Sequence, residues 1–171
     1  MLKSTLLVTA ALGFAISTAS AQDFTAVSTI EKVVVVETAD DETKTVEFVK
    51  ADRVTPGDNL FYQIAYENGT EDAVEDVNLV MNVPAEVTYA ENSAGVESSV
   101  GGNESFADAG ISVLFSTDGG ETFYPRGELS VSADGRQRVA VTEDITNIQF
   151  AFSEPIIAGA SGTVSFSAVV R

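Results

Sequence analysis

The sequence predicts an all-β fold, two antiparallel sheets packed as a sandwich, carried by residues 22–171 behind a secretory leader. Three observations predict it. Apolar and polar residues alternate along run after run, the period that buries one face of a strand and wets the other. Turn-forming residues separate these runs at short, fairly regular spacings. No stretch keeps helical periodicity long enough to make a helix.

The leader comes first. Lys3 gives a positive start, an apolar run extends from Leu6 to Ile16, and Ala19-Ser20-Ala21 supplies small residues at the positions a signal peptidase inspects, Ala19 and Ala21. The apolar run is too short to span a bilayer and no second one follows, so the expectation is a released mature chain with no membrane insertion.

Residues 22–52 read as N-terminal strands. Ile30–Thr38 and Lys44–Val49 flank Ala39-Asp40-Asp41-Glu42, which fits a hairpin or a strand that changes sheets. Val33 to Val36 is an unbroken β-branched run, and such a strand is expected to be covered on both faces. Residues 53–171 read as the core of a single domain. Thr55-Pro56-Gly57-Asp58 fits a turn in which proline fixes the first corner and glycine accepts positive φ. Leu60, Tyr62, Ile64 and Tyr66 then alternate with Phe61, Gln63, Ala65 and Glu67, and Asn68-Gly69 ends that strand. Val77, Leu79, Met81 and Val83 alternate with Asn78, Val80 and Asn82. Glu91 to Gly110 is the least regular stretch, a surface loop around a short Val96–Val100 strand. Ile111, Val113 and Phe115 resume the alternation, Leu129–Val131 and Arg138–Val141 make a hairpin around Asp134-Gly135, and Ile148, Phe150 and Phe152 follow. The last strand sets Val164, Phe166, Ala168 and Val170 against Thr163, Ser165 and Ser167.

Composition excludes whole classes of chemistry. The chain has no cysteine and no histidine, which removes disulfides, Ser-His-Asp and Cys-His nucleophiles and His-based zinc sites. Export without cysteine fits a periplasmic, secreted or cell-surface protein whose core holds without staples. Nine basic residues against 26 acidic ones give a net charge of -17, one unit more negative once Lys3 is removed. Such a surface repels nucleic acid and anionic lipid, which bind through Lys/Arg clusters. It favours solubility and basic or cationic partners.

Several patterns invite a site. Ser116-Thr117-Asp118-Gly119-Gly120-Glu121-Thr122-Phe123 resembles the Asp-box hairpin of sialidase-type propellers, where the aspartate and hydroxyls satisfy a tight turn and the aromatic packs beneath; that role is structural. Two acidic clusters offer oxygens to Ca²⁺: Asp40-Asp41-Glu42, and Glu67, Glu71, Asp72, Glu75 and Asp76 around Asn68 and Gly69. Neither has the spacing that wraps carboxylates around one ion, and a solvated turn is the ordinary reading. A carboxylate pair can run glycoside hydrolysis, but Asp108, Asp118 and Glu121 carry nothing that distinguishes them from turn formers. Arg136 and Arg138 share a strand face and can pair with surface acids. No catalytic residue and no cofactor is expected.

Residues 53–89 resemble the conserved-repeat domain of bacterial and archaeal surface proteins, an Ig-like family of unknown function. The matching residues are Pro56-Gly57-Asp58, Tyr62 and Ile64, Asn68, Val77 with Leu79, then Pro84 and Val87. The resemblance implies an Ig-like topology with a tight hairpin at Asn68, and a structural or adhesive module without catalytic residues. The sequence reading is thus an exported, non-catalytic structural or interaction module of the cell envelope. Its partner is an envelope or surface protein, docking at loop ends or on an exposed edge such as Lys44–Val49. The alternative is a Ca²⁺- or carbohydrate-binding module.

Overall fold

The computed structural model describes residues 7–10, 24–37, 44–98, 106, 109–133 and 135–171. Its strands, in chain order, are β1 (Leu7–Ala10), β2 (Phe24–Glu37), β3 (Lys44–Lys50), β4 (Asn59–Asn68), β5 (Asn78–Asn82) and β6 (Val87–Tyr89). They continue with β7 (Gly95–Ser98), β8 (Ile111–Ser116), β9 (Ser130–Ala133), β10 (Arg136–Val139), β11 (Asn147–Phe152) and β12 (Ser161–Val170). One sheet runs β3-β2-β4-β12-β6, with β7 also on β12; the other runs β1-β5-β11-β8; β9 and β10 form a separate ribbon. Every pairing is antiparallel except the parallel β1·β5 ladder. Among the described residues no helix is long and apolar enough to cross a membrane.

The alternation in the sequence becomes the alternation of burial. Along β4, Leu60, Tyr62, Ile64 and Tyr66 are buried while Ala65 and Glu67 face water. β12 answers with Val164, Phe166 and Ala168, each fully buried, in register opposite Ile64, Tyr62 and Leu60. From the other sheet come Leu79, Met81, Ile148, Phe150, Ile111 and Phe115, and all these side chains belong to one core cluster. Aromatic rings tie the layers together: Tyr66 of β4 meets Phe152 of β11 edge-on at 5.2 Å, and Tyr89 of β6 meets Phe115 of β8 at 5.4 Å. Within one sheet Tyr62 stacks on Phe166 at 4.6 Å.

Two strands share one edge of β12, and a side chain makes this possible. β6 pairs with the end of β12 and β7 with its start. Between them Ser167 would lose its ladder partner, but Ser93 Oγ accepts from Ser167 N (2.9 Å) and lies 3.1 Å from Ser167 O, while Ala90 N donates to the same carbonyl (2.9 Å). Gly162 serves the β7 side. A Cβ there would stand 2.5 Å from Glu97 O and 2.5 Å from Tyr66 Oη, so only glycine leaves room for both the Glu97 carbonyl and the end of the Tyr66 side chain.

The structure departs from the sequence reading in several places, among them Ser165, which is buried on the face of β12 that alternation gives to water. Asn68 does not open a tight hairpin: β5 lies in the opposite sheet, so residues 69–77 are a crossover, and positive φ falls at Asp76 (55°) rather than at Gly69. Val80 does not face water as the alternation implied; it is 3% exposed, so β5 buries Leu79, Val80 and Met81 in succession. The β-branched run of β2 is not covered on both faces, since Val35 is 55% and Val36 36% exposed. The strand at Val87–Tyr89 was not anticipated from alternation, being only three residues long. β1, for its part, falls inside the segment read as the leader.

Candidate functional site

The β2–β3 hairpin differs chemically from the rest of the surface. Period two divides β2 into two rows. Ala26, Ile30 and Lys32 stand opposite Tyr66, Tyr62 and Leu60, the core-facing residues of β4. Val27, Glu31, Val33 and Val35 therefore occupy the outer row. The ladder sets Glu31 opposite Lys50, Val33 opposite Phe48 and Val35 opposite Val46, with Glu37 opposite Lys44 as its last rung. The outer row thus holds a strip of valines and one phenylalanine, closed at each end by a residue pair of opposite charge.

This strip is open to water. Val35, Val46 and Phe48 are each half exposed or more, at 55%, 53% and 50%. Phe48 finds a neighbour in Phe61 of β4, ring centroids 4.9 Å apart, which extends the strip one strand further. The inner row is open as well at Val36 and Val49, although Phe24, Ala26 and Ile30 earlier in β2 pack against the core. The far side of β3 pairs with no strand among the described residues, so its backbone N–H and C=O groups form a free edge. The sequence-predicted edge at Lys44–Val49 is where the structure has one. Lys32 fastens the hairpin to the body of the protein: its Nζ donates to Asp58 Oδ2 at 2.7 Å, and Asp58 also accepts from Thr55 N at 2.7 Å. The Lys32 ammonium, then the Thr55 amide, hold the Asp58 carboxyl below the usual range.

The other candidates resolve into turn architecture. In the Asp-box, the buried Ser116 hydroxyl donates to Asp118 Oδ1 (2.6 Å) and accepts from Gly120 N (2.9 Å). Asp118 Oδ1 accepts from Glu121 N (3.1 Å) and Thr122 N (3.0 Å), and Oδ2 from the Thr122 hydroxyl (2.5 Å). These bonds, Ser116 first and Thr122 next, hold the Asp118 carboxyl far below the usual carboxylate range. A carboxylate committed in this way is a poor proton carrier at neutral pH. Glu121 beside it is exposed, and Asp108 lies outside the described residues.

The second acidic cluster is organised by an amide. Asn68 is fully buried, with Nδ2 donating to Asp72 O (2.9 Å) and Ile156 O (2.7 Å) and Oδ1 accepting from Thr70 N (3.1 Å). Its own N–H donates to Ala160 O (2.8 Å) and its carbonyl accepts from Gly159 N (2.7 Å). Glu71, Asp72, Glu75 and Asp76 hang outward from this knot, exposed, as does Glu67. Among the described residues no three acidic side chains converge as metal ligands; Asp40, Asp41 and Glu42 lie outside them. Arg138 forms a two-pronged pair with Asp144 (2.6 and 2.8 Å), whereas Arg136 stays exposed on the same strand.

Sequence reasoning located the edge but missed the open strip. Its signal was present: charges punctuate the valines at Glu31, Lys32, Glu37, Lys44, Glu47 and Lys50, a density no other pair of strands shows. No protein-family model, curated protein or solved structure matches this chain.

Proposed function

We propose that this chain is an exported, non-catalytic structural or interaction module of the bacterial cell envelope, Ig-like in topology, which engages a protein partner through the β2–β3 hairpin. The observation that carries the reading is the apolar strip Val33, Val35, Val46 and Phe48 left open beside a free strand edge. Contiguous apolar surface rimmed by charge is the mark of an interaction site, since covering it contributes about 25 cal/mol per Å². The leader supports export. The resemblance of residues 53–89 to surface-protein repeats supports the module reading, and the Asp118 carboxylate is held by hydrogen bonds within its own turn.

The test is to recover the protein from the medium, the periplasm and the washed envelope of its host, sequence its N-terminus and identify what co-purifies. A chain beginning at Gln22 with a stoichiometric protein partner, lost when Val46 and Phe48 are both changed to Ser, is the expected result. An unprocessed chain, or a free monomer in every fraction, overturns it. A rise in melting temperature with millimolar Ca²⁺ would instead favour the Ca²⁺-binding alternative.

A further inference from the structure

We infer that the free edge of β3 receives an extended segment of a different protein whose residues repeat as acidic-x-apolar-x-apolar-x-acidic. This inference rests on the interaction-module reading and names the chemistry of the partner.

The template is β2 itself. On the paired side of β3, the row 44, 46, 48 and 50 meets Glu37, Val35, Val33 and Glu31. An added strand on the open side meets the same row of residues, Lys, Val, Phe and Lys, one strand spacing away. The complement is therefore the same: an acid against each lysine and a β-branched residue against Val46 and Phe48. The row reads alike in both directions, so the pattern fits an antiparallel or a parallel guest. Backbone hydrogen bonds to the edge supply affinity, and the row supplies selectivity.

A second copy of this chain does not fit in full-length register. A two-fold pairing of β3 along its full length is centred on Glu47; it sets Glu47 against Glu47 and Lys44 against Lys50 at both ends. Like charges directly opposite destabilise a ladder. The edge thus refuses itself while β3, with two lysines and one glutamate, is locally basic in a chain of net charge -17. Charge also guards it against indiscriminate strand addition.

The test uses the full processed chain and two blocked peptides, one carrying Glu-Thr-Val-Thr-Val-Thr-Glu and one with both Glu replaced by Lys. Binding is followed by NMR shifts of labelled protein and by anisotropy at low and moderate salt. The acidic peptide is expected to perturb residues 44–50, to bind about tenfold more tightly than the lysine peptide, and to lose that margin as salt rises. Lys50→Glu, at an exposed position whose ammonium pairs with Asp52 (2.9 Å), should narrow the margin to about threefold, with changes in the free protein's spectrum confined to the neighbourhood of residues 31 and 50–52. Methylating alternate peptide amides should abolish binding in one phase only, which separates strand addition from apolar adhesion. Equal binding of the two peptides, no binding, shifts at another edge, or a β3-dependent dimer in sedimentation overturns the proposal. A host partner found on another face would then leave the module reading standing, and the absence of any partner would remove both.

Discussion

Asn68 shows how one polar side chain can decide a crossover. It is fully buried and makes four kinds of bond at once; its amide shares the Asp72 carbonyl with the Thr70 hydroxyl and the Ile156 carbonyl with Val74 N, and its Oδ1 accepts from Thr70 N. Asn68→Ala is expected to cost about 2–4 kcal/mol, because several side-chain hydrogen bonds that join residues 68–72 to Ile156 are lost together in a buried place. In a domain this size that is a fall in Tm of about 4–16 °C, measurable by calorimetry. Gly162 makes the converse case: a single methyl group would strike Glu97 O and Tyr66 Oη. Gly162→Ala should lose about 1–3 kcal/mol by overpacking, whereas Gly127→Ala, with open space around it, should be close to neutral. Asp118 lends itself to a pH test. Its carboxyl is more acidic folded than unfolded, so the stability it contributes is present above about pH 4 and is lost as pH falls through the folded value. The Tm gap between the native protein and Asp118→Asn should be widest at neutral pH and shrink steadily below pH 4; a gap constant with pH would mean that the charge is irrelevant to the turn.

At the level of elements, alternation was a faithful guide wherever one face of a strand met the core and the other met water. β4 satisfies that condition, and β12 does so at Val164, Phe166 and Ala168, whereas Ser165, on the face that alternation gives to water, is buried. It misled where that condition failed. β5 buries both faces, although alternation places Val80 in water; β2 packs on the core at Phe24, Ala26 and Ile30 but leaves Val35 and Val36 exposed, although an unbroken β-branched run implies cover on both faces. Neither error is one of strand propensity. Both follow from what covers each face of a strand in the folded chain, a long-range property that local periodicity does not encode. The Asn-Gly pair misled for a related reason: the same residues suit a hairpin and a buried crossover, and which forms depends on where β5 docks. The edge strand was legible because its lysines are a local signature of edge protection. β1 allows an element-scale prediction. The proposed cleavage after Ala21 would remove it and leave β5 as the sheet edge among the described residues, an edge with neither charge nor proline in Asn78–Asn82. Amide exchange there should quicken in the processed chain relative to the precursor, while β11, paired on both sides, keeps its protection.

The whole molecule sets a broad repulsion against a single shared core. A net charge of -17 on a 17.9 kDa chain favours any state in which those charges move apart, and unfolding is such a state. Opposing it, among the described residues, are four surface or half-buried ion pairs, from Lys32–Asp58 to Arg138–Asp144. Salt weakens both terms, but unequally: the excess negative charge is spread over distances that exceed a Debye length of about 8 Å at 0.15 M, whereas each ion pair spans less than half of that. Raising salt from 0.01 to 0.15 M is therefore expected to increase Tm by about 2–6 °C, in contrast to a protein whose stability rests on surface pairs. Because side chains from both sheets belong to one cluster, the transition should remain a single cooperative step across that range. A Tm that falls with salt would show the ion pairs to outweigh the repulsion, and a second transition would show that the sheets do not share their core.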